Sequence, residues 1–287
     1  MDTEKNKVLG GTLYLVATPI GNLSDITKRA LKVLSQVDFV AAEDTRNTGL
    51  LLSRFGISKP LVSYFEHNKR ERGEYIADRL LAGESCALVT DAGMPAISDP
   101  GEDLVVLCAQ RGIPVTAVPG CCAAVTALVL SAFPTGRFTF EGFLTTSKSD
   151  RHRHLESLAE ETRTMIFYEA PHKLRRTLSD MENMFGSQRR ITLCRELTKL
   201  NEETLRTTLG DAVALYSAKE PRGEYVLVLE GASPSKVTDY PKDLEAHVQM
   251  YLNTGMRKMD AIKAAARDRG IPKAQLYKEI LKDTKTK

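Results

Sequence analysis

"TLYLVATPIGNLSDITKRALKVLSQVDFVAAEDTR" (residues 12–46) carries the pattern on which the fold turns. Its apolar opening reads as a buried strand that breaks at Pro19 and Gly21, because proline removes a ladder donor and glycine admits turn conformations. A helix follows with Ile26, Ala30, Val33 and Leu34 on one face and with Asn22 or Ser24 placed to cap it. "FVAA" (39–42) is a second strand, ending in Glu43-Asp44-Thr45-Arg46. The same grammar continues outward. A helix at about 74–82 leads to the strand "CALVT" (86–90), and a helix at about 101–111 leads to "PVTAV" (114–118). Strand and helix alternate throughout, which predicts a mostly parallel α/β sheet.

The second half reads differently. "RFTFEGFL" (137–144), "TMIFYEAPH" (164–172), "RRITLCRELT" (189–198) and "EYVLVLEG" (224–231) contain strands, with a charged helix at 151–161. Two of these strands lack an obvious helical crossover, so a mixed sheet is expected. The whole is read as α/β: residues 1–125 as a first domain, 126–235 as a second, and 240–287 as a small helical module. In that module Leu244, Val248, Tyr251 and Leu252 share a face stopped by Gly255. Met259, Ile262 and Ala266 mark a second helix, and Tyr277, Ile280 and Leu281 a third. Helix, glycine turn and helix match helix-turn-helix grammar, and a plain three-helix packing module fits the pattern as well.

Composition narrows the class. At 287 residues with 42% hydrophobic and 27% charged side chains, the chain can bury a sizeable core. Its longest apolar run, 123–133, is too short to span a bilayer, and the first residues lack the order of a signal peptide, so the cytosol is the expected compartment. Cysteines at 86, 108, 121, 122 and 194 form no C-x-x-C pair and no zinc spacing, and five histidines include no H-E-x-x-H; no metal site is expected. Net charge is +3, yet Pro241–Lys287 carries eight Lys and three Arg against four Asp and two Glu, a local +5 on a body of −2. A basic appendage on an acidic body points to an anionic partner.

Three loops follow strands of the first half: "TPIGN", "TDAGMPAISDPG" and "PGCCAA". Parallel strands put all three on one rim, where open α/β sheets bind ligands. None matches the dinucleotide or triphosphate fingerprints. Loops rich in backbone and poor in Lys and Arg suit a ligand with adenine, ribose and an amino-acid end.

These loops resemble those of the tetrapyrrole methylase superfamily, the class III S-adenosylmethionine methyltransferases. "LYLVATPIGNLSDIT" stands at its glycine-rich first loop, "DAGMPAISDPG" at its Gly-Asp-Pro loop with Met94 replacing the usual aspartate, and "VPGCCAAVTAL" at its Pro-Gly-x-Ser segment. A narrower resemblance adds "AAEDTR", "FYEAPHKL", "LCRELTK" and "RGEYVLVLEG". It is to the small-subunit ribosomal RNA 2′-O-methyltransferases that act on a cytidine of the 16S decoding region, and it runs from about residue 10 to 232. The basic helical tail is similar to one found in that family.

The resemblance implies two α/β domains with S-adenosylmethionine in the cleft between them, a homodimer, and 16S rRNA, within the small ribosomal subunit, as partner. Position-matching sets backbone at Ile20, Gly93, Met94 and Ile97 along the cofactor slot, with Asp91 and Ser98 offering side-chain oxygens. Cys121, Cys122 and Ala123 close it from the next loop, and Phe167, Tyr168 and Leu197 from the second domain; Ile97, Phe167 and Leu197 read equally as core. For the substrate, Arg46 is placed on a phosphate and Asp44 as base or as orienter of Arg46, with a helix cap as the plainer reading of Asp44. His67 and Asn68 could touch RNA or accept a proton. Glu196 and Lys199 face the same cleft, where Lys199 could lower the pKa of a ribose hydroxyl. Lys148, Arg151 and Arg153 suit phosphates, and His172 and Lys173 follow a strand toward the cleft. Two other functions remain open on sequence: methylation of a tetrapyrrole, disfavoured by the basic tail, and a non-catalytic RNA- or ribosome-binding factor.

Overall fold

A computed structural model describes residues 7–233, 241, 243–269, 271–273 and 275–277. The first sheet is built from β1 (Leu13–Val16), β2 (Phe39–Ala42), β3 (Leu61–Ser63), β4 (Cys86–Val89) and β5 (Val115–Val118). Its order is β3-β2-β4-β1-β5, and every pairing is parallel. The crossovers are α1 (Lys28–Gln36), α2 (Thr45–Arg54), α3 (Lys69–Leu81) and α4 (Gly101–Gln110). Strand alternation sends Leu13 and Leu15 toward Ile76, Leu80 and Leu104 of α3 and α4, and Tyr14 and Val16 toward Ala30, Val33 and Leu34 of α1. Helices on both faces explain why these strands are apolar without a break.

The second sheet joins β6 (Phe138–Phe143), β7 (Thr164–Glu169), β8 (Arg190–Arg195), β9 (Glu203–Thr208) and β10 (Tyr225–Leu229) in the order β6-β7-β10-β8-β9. It is mixed: β6 runs parallel to β7, and the remaining pairs are antiparallel. One face packs on α6 (Lys148–Ser157), α7 (Pro171–Phe185) and α8 (Leu209–Ala218) around Phe167, Leu178 and Leu227. The other face receives α5 (Ala123–Leu130), whose Ala124, Ala127 and Leu128 meet Ile166, Cys194, Val226 and Val228.

Several local expectations shift. Thr27 caps α1, its Oγ1 accepting from Ala30 N at 3.0 Å, while Asn22 caps a preceding 3-10 turn at Leu23–Asp25. Helix α3 begins at Lys69 rather than near 74, and α6 begins at Lys148 rather than 151. Residues 171–172, expected as loop, open α7, where Pro171 costs nothing because a first-turn N–H has no helical partner.

Residues from Ser233 on form a separate unit, with α9 (Leu244–Leu252) and α10 (Lys258–Asp268) packed around Val248, Ala261, Ile262 and Leu276. Met259, expected inside, is exposed, because the buried face of α10 runs through Ala261, Ile262, Ala265 and Ala266. Tyr277 is likewise exposed and its neighbour Leu276 buried; Ile280 and Leu281 lie outside the described residues. Among the described residues no helix is long and apolar enough to cross a membrane.

Candidate active site

The parallel register of β1, β4 and β5 brings their following loops to one rim. Two of these loops are stitched together: Thr18 N donates to Gly93 O at 2.9 Å and Gly93 N to Thr18 O at 3.1 Å. Gly93 sits at φ +87°, and a Cβ there would lie 3.3 Å from Ile20 Cγ2. The rest of the loop is shaped by Asp99. Its carboxylate accepts from the backbone N–H of Ala96 (3.0 Å), Ile97 (3.1 Å) and Gly101 (2.8 Å). Gly101 is required by this closeness, since a Cβ would fall 2.6 Å from Asp99 Oδ1. The three anchors hold Ala96 and Ser98 at left-handed φ of 67° and 64°, a strain that stays only where surroundings enforce it.

Facing this rim, the loop after β8 carries the same kind of strain, with Glu196 at φ 51° and Thr198 at φ 66°. Here Lys199 Nζ donates to Glu196 Oε1 (2.9 Å) and Glu224 Oε2 (2.7 Å), and Glu196 Oε1 also accepts from Glu224 N (2.9 Å). Gly223, at φ +78°, leaves room for this carboxylate; a Cβ would sit 2.4 Å from Glu196 Cγ. The hydrogen bond from Lys199 holds the Glu196 carboxyl below the ordinary glutamate range despite partial burial. Burial opposes the charge on Lys199, but its bonds to Glu224 and Glu196 outweigh it and raise its pKa above the usual lysine value. Lys199 is therefore a fixed cation, unable to accept a proton.

Between the two strained loops lies a cavity of about 500 Å3, within the size range of sites for small ligands. Its rim side is formed by Ile20, Asp91, Gly93, Met94, Ile97 and Ser98. Cys122 and Ala123 come from the start of α5, Tyr168 from β7, and Leu197 and Lys199 from the loop after β8. The Tyr168 hydroxyl accepts from Ala124 N at 3.2 Å, and burial pushes its pKa up to about 12. Phe140 and Phe143 pack their rings against it at 5.0 and 5.4 Å. Among the described residues that line it and carry charge, Glu43, Asp91, Asp99, Glu169 and Glu224 stand against Lys199.

A family model described as tetrapyrrole (corrin/porphyrin) methylases matches residues 12–213. A protein of Halalkalibacterium halodurans named ribosomal RNA small subunit methyltransferase I is 49% identical over 271 residues, covering 93% of each chain. Its namesake in Synechocystis is 45% identical over 268 residues, covering 93% of this chain and 96% of its own. The chain belongs to the tetrapyrrole methylase family. Within that family it groups with the ribosomal RNA small subunit methyltransferase I proteins. Solved tetrapyrrole methylases share the fold. A cobalt precorrin-4 methyltransferase superposes with a TM-score of 0.58 at 18% identity, over 77% of this chain and 95% of its own. A uroporphyrin-III C-methyltransferase of Thermus thermophilus, crystallised with S-adenosyl homocysteine, gives 0.56 at 16% identity, over 76% and 97%.

Of the cofactor residues expected in this methylase, two lie off the cavity. Phe167 is fully buried on the opposite face of its strand, because neighbours in a strand alternate and Tyr168 takes the cavity side. Cys121 turns its Sγ to Asp25 O at 3.5 Å. Asp44 caps α2 by accepting from Arg46 N at 2.8 Å and pairs with the Arg46 guanidinium at 2.7 Å. Those bonds pull its pKa down to about 2, which makes it a poor base. Arg46 also feels the charge of Asp91, which accepts from Asn47 Nδ2 at 3.2 Å, so this pair stands beside the cavity mouth.

His67 is exposed ahead of α3, and Asn68 builds the turn, its Oδ1 accepting from Phe65 N (2.8 Å) and its Nδ2 donating to Ser63 O (3.2 Å); neither lines the cavity. Lys148 and Arg153 are exposed on α6, while His172 is exposed and Lys173 half-buried in the first turn of α7. Arg151 is inside instead. Its Nε donates to Asp180 Oδ2 at 2.6 Å and its Nη1 to Thr145 O and Thr146 O, so it ties α6 down rather than reaching outward. The expectation of a phosphate contact there is corrected. Sequence reasoning passed over Glu43, Asp99, Phe143 and Glu224 as lining residues. Glu43 and Glu224 abut apolar strand runs, which was their one signal; Phe143 gave none. Among the described residues no three His, Cys, Asp or Glu side chains group to hold a metal ion.

Proposed function

We propose that this chain transfers the methyl group of S-adenosylmethionine to the ribose 2′-oxygen of a cytidine in the decoding region of 16S rRNA, acting on the small ribosomal subunit as a homodimer. The observation that carries the reading is the cavity itself: backbone-rich, partly apolar and, among the described residues, lined by five carboxylates against one ammonium. That lining fits a cationic sulfonium ligand and is a poor match for a carboxylate-rich macrocycle. The names of the relatives support the RNA substrate, and the S-adenosyl homocysteine bound in the Thermus neighbour supports the cofactor.

When bound, S-adenosylmethionine supplies an electrophilic methyl group on sulfur. The chain's own residues do the positioning, which can lower a barrier by roughly 7–11 kcal/mol when reacting atoms are aligned. Gly93, Met94 and Ile97 offer the backbone edge, Asp91 and Ser98 side-chain oxygens, and Ile20, Ala123 and Leu197 the apolar walls. Lys199, held by Glu196 and Glu224, keeps its proton and acts through its field. A fixed positive charge beside a hydroxyl favours its anion and lowers its pKa, so the 2′-hydroxyl proton passes to solvent water as the oxygen–carbon bond forms and the carbon–sulfur bond breaks. Asp44, already neutralised by Arg46, orients that guanidinium toward substrate rather than accepting a proton. The basic segment 241–287 and the exposed Lys148 and Arg153 add phosphate contacts.

Incubation of the chain with labelled S-adenosylmethionine and small subunits from cells lacking the enzyme tests this. The expected outcome is label on one cytidine ribose. Label on a base, or none, sinks the reading.

A further inference from the structure

The cavity adjoins a second groove. Thr90 and Asp91 line both, and the groove, about 290 Å3, runs on between the loop after β1 and the side of α2. Its two walls each present a large apolar side chain to solvent: Leu23, 39% exposed, and Leu50, 67% exposed. The two leucines give the groove an apolar lining that a planar ring could bury. Asn47 and Arg54 supply polar ends to the same groove.

Helix α2 arranges these groups in a line. Arg46, Leu50 and Arg54 are spaced i, i+4 and i+8, so they share a face, with the two guanidiniums on a helix rise of about 12 Å. Both arginines are exposed. Asp44 engages Nε and Nη2 of Arg46, which leaves the Nη1 donors available. A cation, an apolar contact and a second cation in a row suit a polyanionic strand with planar apolar rings, and suit a neutral or acidic peptide poorly.

We propose that this groove is the acceptor site, in which the target nucleoside packs between Leu23 and Leu50 while Arg46 and Arg54 hold backbone phosphates on either side. The inference rests on the methyltransferase reading, since an oxygen about to be methylated must lie next to the donor's cavity. It names Leu23, Asn47, Leu50 and Arg54 as substrate-binding residues. Asn47, already tied to Asp91, is set to read a base edge or a ribose hydroxyl at the junction.

The test uses the full chain, small subunits lacking the modification, and S-adenosylhomocysteine as the cofactor probe. Leu50→Asp and Arg54→Ala each raise KM for the subunit about tenfold, the scale of one leucine's burial or one phosphate contact. S-adenosylhomocysteine affinity by calorimetry stays within about twofold of wild type. Arg54→Ala also lowers the slope of log affinity against log salt by about 0.7–1, and Arg54→Lys restores most of it. Wild-type KM and salt slope in both variants overturn the site, and would point to a protein segment as the groove's occupant. If the wild-type chain methylates no RNA, the proposed function and this site fall together; if it methylates and the variants equal it, the site alone falls.

Discussion

Replacing Arg151 with alanine separates two roles for one arginine. The side chain is 3% exposed and its partner Asp180 30% exposed. Truncation strands one carboxylate and two backbone carbonyls, of Thr145 and Thr146, that now accept from the guanidinium. Removing one partner of a buried pair costs about 3–5 kcal/mol. Asp180 keeps access to water, which recovers part of this and leaves an expected loss of about 2–3 kcal/mol. For a body of this size, that lowers Tm by roughly 4–12 °C. Urea and thermal melts of Arg151→Ala read the loss, and binding to small-subunit RNA near the wild-type Kd at a temperature where the variant is folded completes the case. The exposed pair Lys148→Ala/Arg153→Ala should do the reverse, leaving stability within about 0.5 kcal/mol while weakening RNA binding. An Arg151→Ala protein with an unchanged melt and a weakened grip on RNA refutes the reasoning.

Other outcomes follow from the cavity and the tail. Gly93→Val puts a branched side chain at φ +87° against Ile20 and should abolish S-adenosylhomocysteine binding by calorimetry; retained affinity argues against the slot. Gly223→Ala displaces Glu196 and should lower kcat at least about tenfold with a smaller change in RNA KM, as loss of an oriented Lys199 predicts. Glu196 has a depressed folded pKa, so its stabilisation is present above the ordinary glutamate value of 4.5 and disappears as pH falls through the folded value. Glu196→Gln should therefore flatten the acid limb of the stability curve, and an unchanged limb would count against the network. Removing residues 241–287 should weaken RNA binding and reduce its salt dependence while sparing cofactor affinity; equal RNA affinity would make the module a packing element.

Much of the first sheet was legible because "LYLV", "FVAA" and "CALV" are buried on both faces and contain no charged side chain to blur the pattern. Strand β3 was missed: three half-buried residues at a sheet edge carry too little periodicity. Strand β9, "ETLRTT", was missed for a related reason, since its long polar side chains pair along the edge with β8 and owe their conformation to that partner. In the site, shaped loops betrayed themselves by glycine and proline, so the rim side was readable. The far wall was readable in part: Tyr168, Leu197 and Lys199 line the cavity as expected, and Phe167 does not. "FY" at 167–168 offers two aromatics, and only the sheet's orientation says which one looks into the cavity. Arg151 did leave a trace: Arg151, Leu155 and Leu158 are spaced i, i+4 and i+7, the stripe of a buried helix face, and the charge of its neighbours hid it.

Helix α5 matters to anyone who would cut this chain in two. It follows the last strand of the first sheet, yet it lies beneath the second, covering Ile166, Cys194, Val226 and Val228. A fragment that starts beyond Leu130 would be born with that greasy underside open to water and should clump. One that starts near Gly120 inherits its own lid, together with the Cys122–Ala123 portion of the ligand's seat.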